Sequence, residues 1–308
     1  MTTNPKVAII GECMIELSEN KGQVARRFGG DTLNTAVYLS RLSAFSPYYV
    51  SALGDNDPFS QEMVDAWNSE GVDTSLIQRL PNYLPGLYYI DVDESGERSF
   101  FYWREQAAAK FWLDQDCSED TLAQLMTMDW IYLSGISIAI LSDESREKFF
   151  TWLAAFRANG GKVAFDNNYR PRLWQSKEHA QVAYRHMMGL CDLAILTFDD
   201  EQDLFGTDTP QTCIDNSHQS GVNEVVIKQG SNPCQISYPE HFLSVAAQKI
   251  TNVVDTTAAG DSFSAGYLAG RLAGKDPQAS AEIAHRVAGT VIQHRGAIID
   301  QQFMPQIG

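Results

Sequence analysis

An α/β fold built on a mostly parallel sheet is predicted for this 308-residue chain by three observations. Short, almost uncharged apolar runs, Val7-Ala8-Ile9-Ile10, Leu193-Ala194-Ile195-Leu196 and Val225-Val226-Ile227, have the length and branching of strands buried on both faces. Between such runs lie stretches of helical periodicity, as at residues 59–70 and 145–158, the second closed by Asn159-Gly160-Gly161. From residue 84 to residue 110 the texture changes to two aromatic-rich runs around a Gly-containing turn, which reads as a hairpin set apart from the parallel strands.

Composition bounds what such a fold can do. The length suits one large α/β domain with an appendage, or two domains. With 23 basic and 39 acidic residues the formal charge is −16, which argues against binding nucleic acid or an anionic membrane. An anionic substrate would therefore need a local cluster of arginines. The five cysteines form no C-x-x-C pair, so neither a disulfide framework nor a zinc site is expected, and they read as reduced thiols of a cytoplasmic protein. The first apolar run is too short for a signal peptide, and no stretch approaches the roughly 20 apolar residues of a membrane span. The P-loop pattern, G-x-G-x-x-G after a first strand, G-x-S-x-G and H-E-x-x-H are all missing, which excludes the enzyme classes they define.

Taken in order, residues 7–10 form the first strand and residues 14–17 continue as extended chain. Glu12 falls just past the strand end, the ligand-binding edge of an α/β sheet, where it either lines a pocket or sits in a solvated loop. Gly29-Gly30 opens a helix that carries Asn34, and missing side chains there let a ligand approach the backbone. Residues 48–54 read as a strand and 59–70 as a helix ending at Gly71. In the hairpin, alternation places Tyr102 and Arg104 on one face and Phe101 and Trp103 on the other. Residues 129–134 and 162–166 read as parallel strands joined by the helix at 145–158, and Asp166, Asn168 and Arg170 emerge at the ligand edge. A strand at 193–197 leads into a helix beginning Phe198-Asp199-Asp200. The strand at 225–228 ends at Lys228, with Gly230 just beyond it, and residues 281–294 are helical. The βαβ alternation is expected to run to the end of the chain.

One further stretch concentrates the chemistry: Asp255-Thr256-Thr257-Ala258-Ala259-Gly260-Asp261, followed at once by the helical pattern of Phe263, Tyr267, Leu268 and Leu272. A turn of small residues at a helix start exposes unpaired N–H groups at the positive end of the helix dipole, which makes an anion site. A carboxylate there would repel the anion. Asp261 is therefore either a helix cap or a general base for a hydroxyl nucleophile.

Gly29-Gly30-Asp31-Thr32-Leu33-Asn34, with the helix after it, resembles the first signature of the ribokinase (PfkB-type) sugar kinases, and Asp255 to Gly266 resembles their second. The resemblance covers essentially the whole chain. It implies a ribokinase-like three-layer α/β/α fold over residues 1–308, with a mostly parallel central sheet and a small β-sheet lid made of segments near 13–28 and 84–110. It implies ATP and Mg²⁺ as cofactors, Asp261 as the base, and the N–H groups of Ala258, Ala259, Gly260 and Asp261 as the cradle of the transferred phosphoryl. Gly30 and Asn34 would touch sugar hydroxyls. Asn168, Thr197, Lys228 and Gly230 would line the nucleotide, His285 would contact adenine, and Asp200 is the candidate metal ligand. Ala258 stands where the family usually has Gly, which requires φ below zero or some strain. Thr197 and Asp200 stand where many members have Asn and Glu.

The form D-x-N-x-R-x-x-L-W at Asp166 to Trp174 looks like the sugar-acid and fructose branch of that family. A neutral hexose does not need two arginines at its pocket, whereas a carboxylate would supply their partner. Gly86 to Tyr89, Tyr102 to Arg104 and Asp166 to Arg170 together resemble the members that phosphorylate 2-keto-3-deoxygluconate. That implies transfer to its 6-hydroxyl, with Arg104 and Arg170 expected to read the carboxylate and Tyr88 and Tyr102 to shape the pocket. A fructokinase, or a catalytically silent sugar or nucleotide sensor that keeps the fold, are the alternatives. Phe101 and Trp103 would leave an apolar face bare, so a homodimer or larger assembly through the lid is expected.

Overall fold

The structure is a computed structural model that describes residues 4–20, 23–92 and 98–306. The expected hairpin turn at Glu94 to Glu97 lies outside the described residues. The strands are β1 (Val7–Ile10), β2 (Met14–Asn20), β3 (Gln23–Gly29), β4 (Tyr48–Gly54), β5 (Ile77–Leu80), β6 (Leu87–Val92), β7 (Arg98–Trp103), β8 (Trp130–Ser134), β9 (Lys162–Asp166), β10 (Leu193–Thr197), β11 (Glu224–Lys228), β12 (Cys234–Tyr238) and β13 (His241–Val245). Among the described residues they form a nine-stranded sheet, ordered β13-β12-β11-β10-β9-β8-β1-β4-β5, and a four-stranded sheet, ordered β3-β2-β6-β7.

From β11 to β5 every neighbour pairs in parallel. Strand β1 is buried at all four positions, as its unbroken apolar run demands of a central parallel strand. The chain leaves β1 for β4 and β5 on one side and returns to β8 on the other. The sheet therefore has a topological switch point at β1, and the crevice outside the carboxyl ends of its strands is where ligands bind in such sheets. Helices cover both faces. One layer packs Leu33, Val37, Phe263, Tyr267, Ile283 and Ala284 against the sheet, and the other packs Phe149, Phe150, Leu153, Tyr184, Met187 and Ile214.

Helix Ala259–Leu272 is the element that matters most for chemistry, and it lies close against helix Pro277–Val291. A Cβ at Gly266 would sit 2.8 Å from the Ala284 Cα, and one at Gly270 would sit 2.8 Å from the Ser280 Cα, so two glycines one turn apart let the backbones touch. The helical pattern expected at 281–294 in fact starts at Pro277. Asp276 caps it by accepting from the Ala279 N–H at 2.8 Å, with Pro at the first turn where its missing N–H costs nothing.

The expected alternation breaks near its end. Strands β12 and β13 form an antiparallel hairpin that extends the sheet beyond β11, and two consecutive helices follow. Their connection, Pro239-Glu240, lacks the Asn-Gly or Gly signal of a two-residue turn, and Glu240 itself adopts φ 63°. In the smaller sheet the register pairs Tyr88 with Tyr102, Tyr89 with Phe101 and Leu87 with Trp103, which gives the alternation expected of the hairpin.

Candidate active site

The turn before helix Ala259–Leu272 holds Ala258 at φ 59°, in the left-handed region. Of the two alternatives open to an alanine there, the chain takes the strained one. The Ala259 N–H, expected in the phosphoryl cradle, donates to the Thr256 carbonyl at 3.1 Å. The N–H groups of Gly260 and Asp261 belong to the first turn, where N–H groups have no intrahelical partner. Beside Gly260 the space is open enough that a Cβ would meet only the Lys228 ammonium, at 3.5 Å.

Asp261 accepts from the Asn34 side-chain amide at 2.8 Å, and its carbonyl accepts from the Thr35 hydroxyl at 3.3 Å. Asn34 reaches it from helix Asp31–Leu42, which begins at Gly30. A Cβ at Gly30 would strike the Glu12 carbonyl oxygen, so the close passage of these two segments requires glycine. Burial pushes the Asp261 carboxyl up to about 7, Asp31 and Asp166 add to the rise, and Asn34 and Lys228 oppose it. A carboxyl poised near neutrality within reach of a hydroxyl is the requirement for a general base.

On the lid side, Arg104 forms an ion pair with Glu12 and lies over the Tyr102 ring at 5.9 Å. Both charged side chains are buried, and burial raises the Glu12 carboxyl above its ordinary value against the pull of Arg104. Glu12 Oε1 and Arg104 Nε have no hydrogen-bond partner within the protein. Tyr88 stacks obliquely on Tyr102 at 5.8 Å and donates to Glu16. Just past β9, Arg170 is half-exposed, 3.6 Å from Asp200 and 2.8 Å from the Tyr169 carbonyl. The sequence suggested arginines awaiting a substrate carboxylate. Each instead already has a protein carboxylate beside it, and these partners come from segments that pattern reading does not connect.

At the carboxyl ends of β9 and β11, Lys228 is buried and ion-paired with Asp166 at 2.6 Å. Gly230 adopts φ 58° just beyond β11. Thr197 ends β10, its N–H held by the Asn167 side-chain oxygen at 2.9 Å. Asn168 is buried at φ 25° and donates to Asp31. Strain of this kind in a residue other than glycine concentrates at functional sites. His285 is buried, with Nε2 against the Val245 carbonyl at 3.0 Å and its ring edge-on to Phe263 at 5.1 Å. It sits as a satisfied core histidine, and contact with an adenine would cost it that bond. Sequence reasoning missed Glu16, Asp31, Asn167 and Ser264. Asp31 follows Gly30 directly and Ser264 lies three residues after Asp261, so helical spacing alone could have suggested both.

Among the described residues no group of three or more His, Cys, Asp or Glu side chains converges as a metal cage. Magnesium commonly takes one or two carboxylates and completes its shell with phosphate oxygens and water. Asp200, half-buried in the first turn of helix Phe198–Phe205 and bonded by the Tyr169 N–H at 3.3 Å, offers one such carboxylate. This donor set fits an ion carried mainly by nucleotide phosphates. A separate cavity of about 370 Å³ opens between β3 and the C-terminal loop, lined by Glu16, Arg27, Trp67 and Gly296 among others, and it does not include Asp261.

A turn of small residues at a helix start, a buried carboxyl just after it and a small sheet beside the switch point are features that phosphoryl transfer to a hydroxyl acceptor calls for. The chain belongs to the pfkB family of carbohydrate kinases, which it matches over residues 4–303. It is 55% identical over 306 residues to 2-dehydro-3-deoxygluconokinase of Escherichia coli (strain K12), covering 97% of this chain and 99% of that one. It is 28% identical over 267 residues to the fructokinase of Vibrio alginolyticus, covering 86% and 83%. The crystal structure of 2-dehydro-3-deoxygluconokinase from Thermotoga maritima superposes with a TM-score of 0.83 at 22% identity, covering 96% of this chain and 95% of that one.

Proposed function

We propose that this carbohydrate kinase transfers the terminal phosphoryl group of ATP to the 6-hydroxyl of 2-dehydro-3-deoxygluconate, also called 2-keto-3-deoxygluconate. The observation that carries the chemistry is Asp261, its carboxyl raised to about 7 and held by Asn34 at the mouth of the anion turn. The choice of sugar is supported by the near-full-length relative at 55% identity, against 28% for a fructokinase, and by Arg104 and Arg170, cations that a sugar acid can pair with.

In this reading the Asp261 carboxylate takes the proton of the 6-hydroxyl as that oxygen attacks the terminal phosphorus, and the bond to the leaving diphosphate breaks on the opposite side. The N–H groups of Gly260 and Asp261 hold the transferred phosphoryl, with Ala258 shaping the turn. Gly30 and Asn34 bind sugar hydroxyls. Arg104 and Arg170 bind the substrate carboxylate, and Tyr88 and Tyr102 wall the pocket. Asn168, Thr197, Lys228 and Gly230 line the nucleotide, and Asp200 is the carboxylate that would hold Mg²⁺. The ion, when bound, neutralises phosphate charge. Residues 1–308 act as one domain with its lid, as a cytoplasmic enzyme that dimerises through that lid. Among the described residues no helix is long and apolar enough to cross a membrane.

A coupled assay of ATP turnover over a panel of sugars and sugar acids tests the assignment. The specificity constant for 2-dehydro-3-deoxygluconate should exceed that for fructose by at least about tenfold, since one charge-assisted hydrogen bond contributes roughly 1.5 to 3 kcal/mol. Comparable constants would transfer the assignment to the fructokinases.

A further inference from the structure

Beneath the anion turn lies a buried ion pair that no step of phosphoryl transfer, as derived above, requires as a pair. Asp166 closes β9 and Lys228 closes β11, and their side chains are 6% and 9% exposed, 2.6 Å apart. Ser264, one turn into the helix of Asp261, donates to the same Asp166 oxygen at 2.8 Å and lies 3.3 Å from the Lys228 ammonium. The Tyr132 hydroxyl reaches that oxygen at 3.4 Å, and Thr35 joins Tyr132 to the Asp261 carbonyl. Burying two charges costs several kcal/mol per ion before their attraction is counted, and a well-packed apolar pair of similar volume is often as stable. Stability alone does not account for the pair.

We propose that Asp166 and Lys228 are positioning residues for the base: across the turn, Lys228 attracts and Asp166 repels the Asp261 carboxylate, and their balance fixes its charge at neutral pH. The inference rests on Asp261 being the base of the proposed reaction. The other groups that face Asp261 are Asp31, Asn34 and Tyr38 from helix Asp31–Leu42 and Tyr132 from β8. On the neighbouring helix Pro277–Val291, His285 is turned to Phe263 and Val245. Of the charged members of this set, Asp31 and Asp166 oppose ionisation and Lys228 alone favours it. Asp31 is already engaged by Asn168. Lys228 is also 3.5 Å from the position a Cβ would take on Gly260, the residue just before the base.

The test follows the Asp261 carboxyl carbon by NMR in the ligand-free protein, assigned by its loss in Asp261→Asn, alongside the acid limb of kcat. Asp166→Asn removes the repelling charge and should move both midpoints to lower pH. Lys228→Gln removes the attracting charge and should move both to higher pH, each by about half to one pH unit. Both replacements keep a hydrogen-bonding group where the charge was. Should either fail to fold, Ser264→Ala keeps both charges and removes the hydroxyl that partly neutralises Asp166, so its midpoint should rise by a few tenths of a unit. A purely structural pair would lower thermal stability and leave the midpoints in place. Shifts of the same sign in the two charge variants, or unmoved midpoints with Asp261→Asn inactive, overturn the proposal while leaving the base assignment standing. Near-normal turnover of Asp261→Asn overturns the base assignment, and the pair's proposed purpose with it.

Discussion

Burial and two neighbouring carboxylates hold the Asp261 carboxyl at about 7 in the folded protein, against the ordinary value of 3.8. That difference fixes two outcomes. Turnover should fall about tenfold per unit as pH drops below the folded value, because only the ionised form accepts a proton. Asp261→Asn should lower turnover by roughly 10² to 10⁴ while the protein still binds nucleotide, measured at saturating sugar. The stability effect has the opposite sign to that of most aspartates. A raised carboxyl binds its proton more tightly when folded, so the wild-type chain carries a penalty that is absent below about pH 4, grows to about pH 7 and is complete above it. Melting temperatures should therefore coincide for wild type and Asp261→Asn near pH 4, and the variant should melt a few degrees higher at pH 8. Equal melting temperatures at pH 8 would show that the carboxyl is not held up. The candidacy of Asp261 is legible in the sequence through the small residues before a helical pattern together with the resemblance of Asp255 to Gly266 to a kinase signature, since the turn alone suits a helix cap as well. Its charge state is not, since Asp31, Asp166 and Lys228 converge on it only after folding.

The same division runs through the elements. Strands β1, β8, β9, β10 and β11 announce themselves as short apolar runs, and the residues just past their ends fall at the crevice because parallel strands share one carboxyl edge. The ion pairs that finish the site are hidden, because no periodicity ties Glu12 to Arg104 or Asp200 to Arg170. These pairs change what the arginines can do. In the proposed reading a sugar carboxylate shares each guanidinium with a protein carboxylate, so its binding energy is a difference of two attractions. Arg170 is half-exposed, so Arg170→Ala should raise KM for the sugar acid by about tenfold, the lower end of the range for one charge-assisted bond, and leave KM for ATP within a few-fold. Glu12→Gln leaves Arg104 buried without a counter-ion, which should lower the melting temperature by several degrees. The substrate carboxylate then replaces the missing charge. Thermal shifts on adding the sugar acid should be larger in Glu12→Gln than in wild type; smaller shifts would mean that Arg104 does not meet the substrate.

For the whole molecule the unresolved tension is between a charge of −16, which keeps copies apart, and an aromatic edge that would bring them together. Strand β7 is the outer strand of the lid sheet, so one row of its N–H and C=O groups has no strand partner within that sheet. It exposes four consecutive aromatics, Phe100 at 40%, Phe101 at 51%, Tyr102 at 46% and Trp103 at 62%. Soluble chains blunt such edges with charge, proline or a covering element, and this strand has none of these between Ser99 and Trp103. Alternation divides the four between two faces, with Tyr102 beside Tyr88 and Phe101 beside Tyr89. In the proposed assembly one face would be available to the sugar while the other would meet a second lid. Covering by another copy satisfies both requirements, because a symmetric contact buries the same patch twice and leaves the charged remainder in solvent. Sedimentation at micromolar concentration should therefore give a dimer or an assembly of dimers. Trp103→Glu, which places a charge at the most exposed of the four, should shift the distribution to monomer and raise KM for the sugar by loosening the lid. A wild-type chain that sediments only as a monomer would remove the lid contact and leave the aromatic edge to the substrate alone.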